Sequence, residues 1–150
     1  MHILYEGRRF PTQSPGNNIM KIYASTKPYS KMRYPTLGDY DYTLGIPYFD
    51  VYIAETGNIA FDMAIFIHEI KELFLCWQVG IKEEDIRAFD IMFEEERKQG
   101  LHGEDDEPGD DPRAPYYHQH QKATQDEKKW IKDTGNKWKD YCKSCMEVEE

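Results

Sequence analysis

Residues 60–79, AFDMAIFIHEIKELFLCWQV, decide the reading of this chain. The stretch holds no proline or glycine and is the strongest helical pattern in the sequence. At about 100° per residue, Met63, Phe66, Ile67, Ile70, Leu73, Phe74 and Trp77 fall on one broad face, as on a core-facing helix. The opposite side is more informative. His68 and Glu72 stand four apart and are therefore neighbours, with Glu69 one step round the helix. Phe61, Ile65, Leu75, Cys76 and Val79 project around them, more large apolar groups than a solvent-facing side carries. The helix is therefore expected to be covered on both sides, with a histidine and two carboxylates in a partly dry setting.

Working outward, Gly57-Asn58 supplies a turn and an N-cap before this helix, and Gly80 ends it. Upstream, 29–56 is rich in Tyr, Thr, Ile and Val, punctuated by Pro35, Gly38, Gly45 and Pro47. Two or three short strands are expected there, clearest from Tyr48 to Glu55, with another short strand at Ile22 to Ala24. Residues 1–19 contain Pro11, Pro15 and Gly16 and read as an irregular arm. Downstream, a second helix is expected from Glu83 to Gln99, with Glu83, Glu84 and Asp85 at the positive end of its dipole. An acidic, proline-rich loop at 101–115 leads to a third helix from His118 to Thr134, then a short aromatic tail. Strands first and helices afterwards indicate an α+β fold, with short antiparallel strands followed by about three helices, the first central and buried. The expected organisation is an arm (1–19), one domain (20–141) and a C-terminal tail (142–150).

The net charge of −9 is unevenly spread. Residues 1–34 carry six basic side chains against one acid, whereas 35–113 carry six against twenty. Phosphate binding needs a concentrated basic surface, so nucleic acid is not the expected partner. No run is apolar enough for a signal peptide or a membrane span, and the three cysteines form no disulfide framework. A cytoplasmic location is expected, that of the host cell if the chain is phage-encoded. Cys142-Lys143-Ser144-Cys145 lacks the second ligand pair of a structural zinc site. Phosphate-loop, dinucleotide-fingerprint and nucleophile-elbow patterns are absent.

Buried carboxylates are costly unless paired, hydrogen-bonded or bound to a metal. A His and a carboxylate at i, i+4 reach one cation, and the intervening Glu can address a water. This is the logic of the H-E-x-x-H zinc helix, here with Glu72 in place of the second His. On the third helix, His120, Thr124, Glu127 and Ile131 share one face, which makes His120 the expected third ligand; His118 points elsewhere. Asp90, beside the apolar stripe Ile86, Phe89 and Phe93, and Asp111 are candidates to orient a ligand or complete the shell.

The run His68-Glu69-Ile70-Lys71-Glu72, then Ala88-Phe89-Asp90, then Glu107-Pro108-Gly109-Asp110-Asp111-Pro112, Ala114-Pro115-Tyr116, His120 and Ala123-Thr124 resembles a family of uncharacterised small proteins encoded in bacteriophages and prophages. That resemblance covers over a third of the chain and implies a phage-associated origin rather than a reaction. Strands followed by a His-Glu helix also resemble, at the level of fold, the core of minimal zinc metallopeptidases. Two functions follow as expectations. The first is a metal-dependent hydrolase, peptidase-like by the likeness just given, with a divalent cation (zinc first, since imidazole plus carboxylate suits it) on His68, Glu72 and His120 and with Glu69 activating the water. The alternative is a non-enzymatic phage accessory protein that binds a host protein or small molecule through its acidic loop and tyrosines.

Overall fold

The computed structural model describes residues 19–150 apart from Tyr34, together with the backbone of 2–5 and 8–11. Those two segments, β1 (His2–Tyr5) and β2 (Arg8–Pro11), pair antiparallel with Ile3 opposite Phe10. They lie in the stretch read from sequence as an irregular arm, whose remaining residues up to 18 fall outside the described ones.

A three-stranded sheet carries the rest. Its strands are β3 (Lys21–Lys27), β4 (Gly38–Thr43) and β5 (Ile46–Ala54), in the order β3-β5-β4. β4 and β5 form the expected antiparallel hairpin, closed by Leu44-Gly45, where Gly45 takes the left-handed φ of +80° that a tight turn requires. β3 instead runs parallel to β5, with Lys21 beside Tyr48 and Lys27 beside Ala54. The expectation of antiparallel strands throughout fails here for a physical reason. Alternating side chains report that a segment is a strand but carry no information on its direction. The chain between Lys27 and Gly38 makes a 3₁₀ turn at Tyr29–Lys31 and is long enough to return before β4 begins.

Because β5 is the middle strand, it is buried on both faces. Phe49, Val51 and Ile53 join the main core, while Tyr52 and Ala54 pack with Met32 on the other side. That second face also carries buried Asp39 and Asp41, which accept from Arg33 at 2.5 and 2.9 Å.

Four helices follow: α1 (Ile59–Val79), α2 (Glu83–Lys98), α3 (Tyr117–Asp133) and α4 (Trp138–Glu149). The molecule is α+β as its sequence indicates, with one helix more than expected. α4 occupies the segment read as an aromatic tail and continues past residue 141; Tyr141 is buried and packs edge-on against Phe61 at 5.3 Å. α1 packs against β4 and β5 of the sheet and against α3. Its start is capped by Asn58, whose Oδ1 accepts from Ala60 N at 2.9 Å and Phe61 N at 3.3 Å. Its end is Gly80, left-handed at φ +81°.

The two faces of α1 differ from the sequence reading. Met63 and Phe74, assigned to the core stripe, are 40% and 39% exposed. The deepest positions are Phe61, Ala64, Ile65, His68, Glu72, Leu73 and Cys76. The side that bears the histidine is therefore the true core face, because both α3 and β4 press on it. Among the described residues, no helix is long and apolar enough to cross a membrane.

Asn58→Ala leaves two N-terminal amides of α1 without a partner and should cost about 1 kcal/mol. A thermal melt should show this as a fall of a few degrees in Tm, with Asn58→Asp retaining most of the wild-type value.

Candidate metal centre

His68, Glu72 and His120 converge. His68 Nε2 lies 3.0 Å from Glu72 Oε2 and 3.2 Å from His120 Nδ1, and His120 Nδ1 lies 2.8 Å from Glu72 Oε2. All three residues are buried, at 8%, 5% and 5% exposure. Two helices supply them. The i, i+4 spacing on α1 places His68 above Glu72, and α3 crosses so that His120, 52 residues after His68, enters from the opposite side.

The triangle fits a small cation. With edges of 2.8, 3.0 and 3.2 Å, a point about 1 Å out of its plane lies roughly 2.0–2.1 Å from all three atoms. The donor set, two imidazoles and one carboxylate oxygen, is one that zinc accepts and leaves further coordination positions open.

The surroundings hold these donors in place. His68 Nδ1 meets Glu127 Oε1 at 2.8 Å, and the other Glu127 oxygen accepts from Tyr141 Oη. A carboxylate behind a histidine fixes the tautomer that presents the opposite nitrogen, the usual support of a metal-binding imidazole. Tyr40 Oη, from β4, donates to Glu72 Oε1 at 2.8 Å, which orients Oε2 toward the histidines. Without a cation the two imidazoles serve as the counter-charge. Burial opposes the Glu72 carboxylate, yet hydrogen bonds from His120 and His68 hold it down at about 2. Burial likewise opposes an imidazolium at His120, but the carboxylates of Glu107 and Glu72 carry it up to about 10.

Glu69 does not join the triangle. Its side chain is partly exposed and lies against Gly38 on β4, where an added Cβ would sit 2.5 Å from Glu69 Cγ. Burial and then the neighbouring Glu72 push its carboxyl well above the usual range, while His68 and His120 pull it down, so it feels the field of the whole centre. Gly38 is the notch that admits it.

The structure does not bring Asp90 or Asp111 to the cluster. Asp90 accepts from Tyr116 Oη at 2.5 Å, and Asp111 is held by Arg113 Nη2 at 2.7 Å beside Glu96 and His102. Arg113 also reaches Glu96 at 2.7 Å, so a cationic side chain already neutralises that second acidic group. The residues that do surround the centre, Tyr40, Glu127, Tyr141, Glu107 and Asp110, were not singled out as such from sequence. Glu127 carried a signal, since it stands seven residues after His120 on the same helical face. Asp110 carried one too, since its stretch, Glu107 to Pro112, sets aspartates able to bind a cation among turn residues; the others carried none, because β4 and α4 meet α1 only through the tertiary fold. His118 is exposed, as its position on α3 implies.

Searches of protein-family models, of curated proteins and of solved structures found no match to this chain.

Two predictions follow from this geometry. The Asp90 carboxyl is pushed up from 3.8 to about 7, by burial first, against the Tyr116 hydrogen bond. A raised folded-state value means that ionisation opposes folding. The penalty is absent below about pH 4, grows between about pH 4 and 7, and is complete above. Asp90→Asn keeps an acceptor for Tyr116, so it should raise Tm by several degrees at pH 8 and leave it unchanged near pH 3.5. Gly109, in the 3₁₀ turn Pro108–Asp110, lies flat on the His120 ring, and an added Cβ would sit 2.4 Å from His120 Cγ. Gly109→Ala should cost about 1–3 kcal/mol by overpacking, read as a lower denaturation midpoint at unchanged m-value.

Proposed function

We propose that this chain is a metal-dependent hydrolase of phage origin, peptidase-like in its chemistry, with a divalent cation, zinc by preference, held by His68, Glu72 and His120. The observation that carries the reading is the donor triangle, with edges of 2.8, 3.0 and 3.2 Å, buried and backed by Glu127 and Tyr40. The phage origin rests on the likeness of the His68–Thr124 motifs to phage-encoded proteins. The peptidase-like character rests on the kinship of His68-Glu69-x-x-Glu72 with the zinc helix.

A divalent cation there would lower the pKa of a water toward neutrality and polarise a carbonyl or phosphoryl oxygen. The chain's own residues do the rest. Glu127 holds the His68 ring in the tautomer that leaves Nε2 bare. Tyr40 keeps Glu72 Oε2 aimed inward. Glu69, next in sequence to His68 and partly open to solvent, takes up and passes on the proton. Burial and the neighbouring Glu72 raise its carboxyl, which makes the carboxylate a stronger proton acceptor than an exposed one.

Elemental analysis of protein purified without added metal should find about one zinc per chain attributable to this centre, lost in Glu72→Gln. Added zinc at one hundred times its Kd should stabilise the apoprotein by about 2.7 kcal/mol. A metal-free preparation whose melting is indifferent to zinc would sink the reading. Assayed on fluorogenic peptide and ester substrates, Glu69→Gln should keep its zinc and lose about 10²–10⁴-fold in turnover. Undiminished turnover in that variant would remove Glu69 from the mechanism.

A further inference from the structure

The inner nitrogen of His120 is accounted for by Glu72 and His68; its outer nitrogen is not. Nε2 is buried, the side chain being 7% exposed, and it has no hydrogen-bond partner. Yet two carboxylates stand close to it, Glu107 Oε2 at 3.1 Å and Asp110 Oδ1 at 3.3 Å. Both acids are in ion-pair range, but neither gives Nε2 a well-aligned hydrogen bond, so this buried donor is poorly satisfied by the protein alone.

The separations make sense as something else. Ligand atoms that share a cation at about 2.0–2.2 Å stand roughly 3.0–3.4 Å from one another, off the line of any N–H. The two separations from His120 Nε2 satisfy this, and the ligand atoms of Glu107, Asp110 and His120 all lie within 4.8 Å of one another. The setting is preformed. Gly109 between the two acids lies against the His120 ring with no room for a side chain, so the loop cannot slide along α3. Gln121 Nε2 donates to Asp110 Oδ1 at 2.9 Å and fixes that carboxylate from the helix side. The site gives onto a pocket of about 320 Å³, whose lining includes Asp105, Asp106, Glu107, Asp110 and Asp111. Of these acids Asp111 is answered by Arg113 at 2.7 Å, while the lining itself contains no lysine or arginine.

We infer that His120 Nε2, Glu107 and Asp110 form a second divalent-cation site at the mouth of this pocket. Two carboxylate oxygens and one imidazole suit a borderline or hard dication, zinc or manganese. The remaining positions of the ion face the pocket, where water or an anionic group of a substrate can occupy them. The imidazole ring of His120 would thus stand between two cations. With both ions bound the ring is an imidazolate, its Nδ1 and Nε2 protons both released to solvent; with the inner site empty Nδ1 keeps its proton for Glu72 and only the Nε2 proton leaves. The outer site does not depend on the inner one being filled.

Dialysis of the full chain against Zn2+, followed by elemental analysis, tests this, with circular dichroism confirming that each variant folds. Wild type should hold two equivalents, the Glu107→Gln/Asp110→Asn pair one, and Glu72→Gln one. Loss of one equivalent in the loop pair, with proton release on zinc addition reduced accordingly, supports the outer site. Equal zinc in wild type and the loop pair overturns it. The two centres fail separately. One equivalent in wild type that is lost with Glu72→Gln and kept by the loop pair leaves only the inner centre. The reverse pattern leaves only the outer one.

Discussion

One carboxylate oxygen organises the interior. Glu72 Oε2 is met by His68 from its own helix and by His120 from α3, while Tyr40 on β4 takes the other oxygen. Sheet, central helix and covering helix are thereby tied to a single side chain. An acid buried at 5% exposure would destabilise the fold if left alone. Here the cost is offset by three partners on three elements, which makes each element's position a condition for the others. Removing one member of such a buried group strands the rest and costs about 3–5 kcal/mol.

Around this point the steric and electrostatic details serve to keep the three elements close. Gly38 and Gly109 are notches in the walls, one admitting Glu69 and the other receiving the His120 ring. Trp130 Nε1 donates to Ala60 O at 2.8 Å, and Lys71 reaches Asp126 at 2.6 Å, so α1 and α3 are fastened at two further heights. α4 adds Tyr141, which couples the far side of the molecule to His68 through Glu127. The acidic middle of the chain therefore has two fates. Some carboxylates are drawn inward to histidines and tyrosines, and others, at 104–111, crowd a pocket.

The sequence made the central helix, its caps, its two successors and the meeting of His68, Glu72 and His120 legible, because helical spacing is a strong local signal. It misled on which face of α1 is deepest. The stripe through Met63 and Phe74 is the more apolar one, but burial is decided by what covers a face, and α3 covers the histidine side. It hid the parallel pairing of β3 with β5, since strand direction is set by the connection. It offered Asp90 and Asp111 as helpers, although Tyr116 and Arg113 claim them. The tail from Trp138 onward looked too short and mixed to be a helix. The contacts of Tyr141 with Phe61 and Glu127, and the packing of Trp138, Cys142 and Cys145 on the core, give that helix something to bury against.

The placement of β5 between its neighbours sets an order of assembly. Thr43 meets Ile46 across a two-residue turn, so the β4–β5 hairpin closes at little entropic cost and can form early. β3 precedes both in the chain yet has no partner until β5 exists, and it pairs in parallel across a much longer loop. It is the strand that waits. Four of its first residues, Lys21 to Ala24, remain exposed in the finished molecule, so little apolar gain hurries it. Loop closure thus favours the hairpin ahead of the first strand of the sheet, so that position along the chain and ease of pairing run in opposite directions.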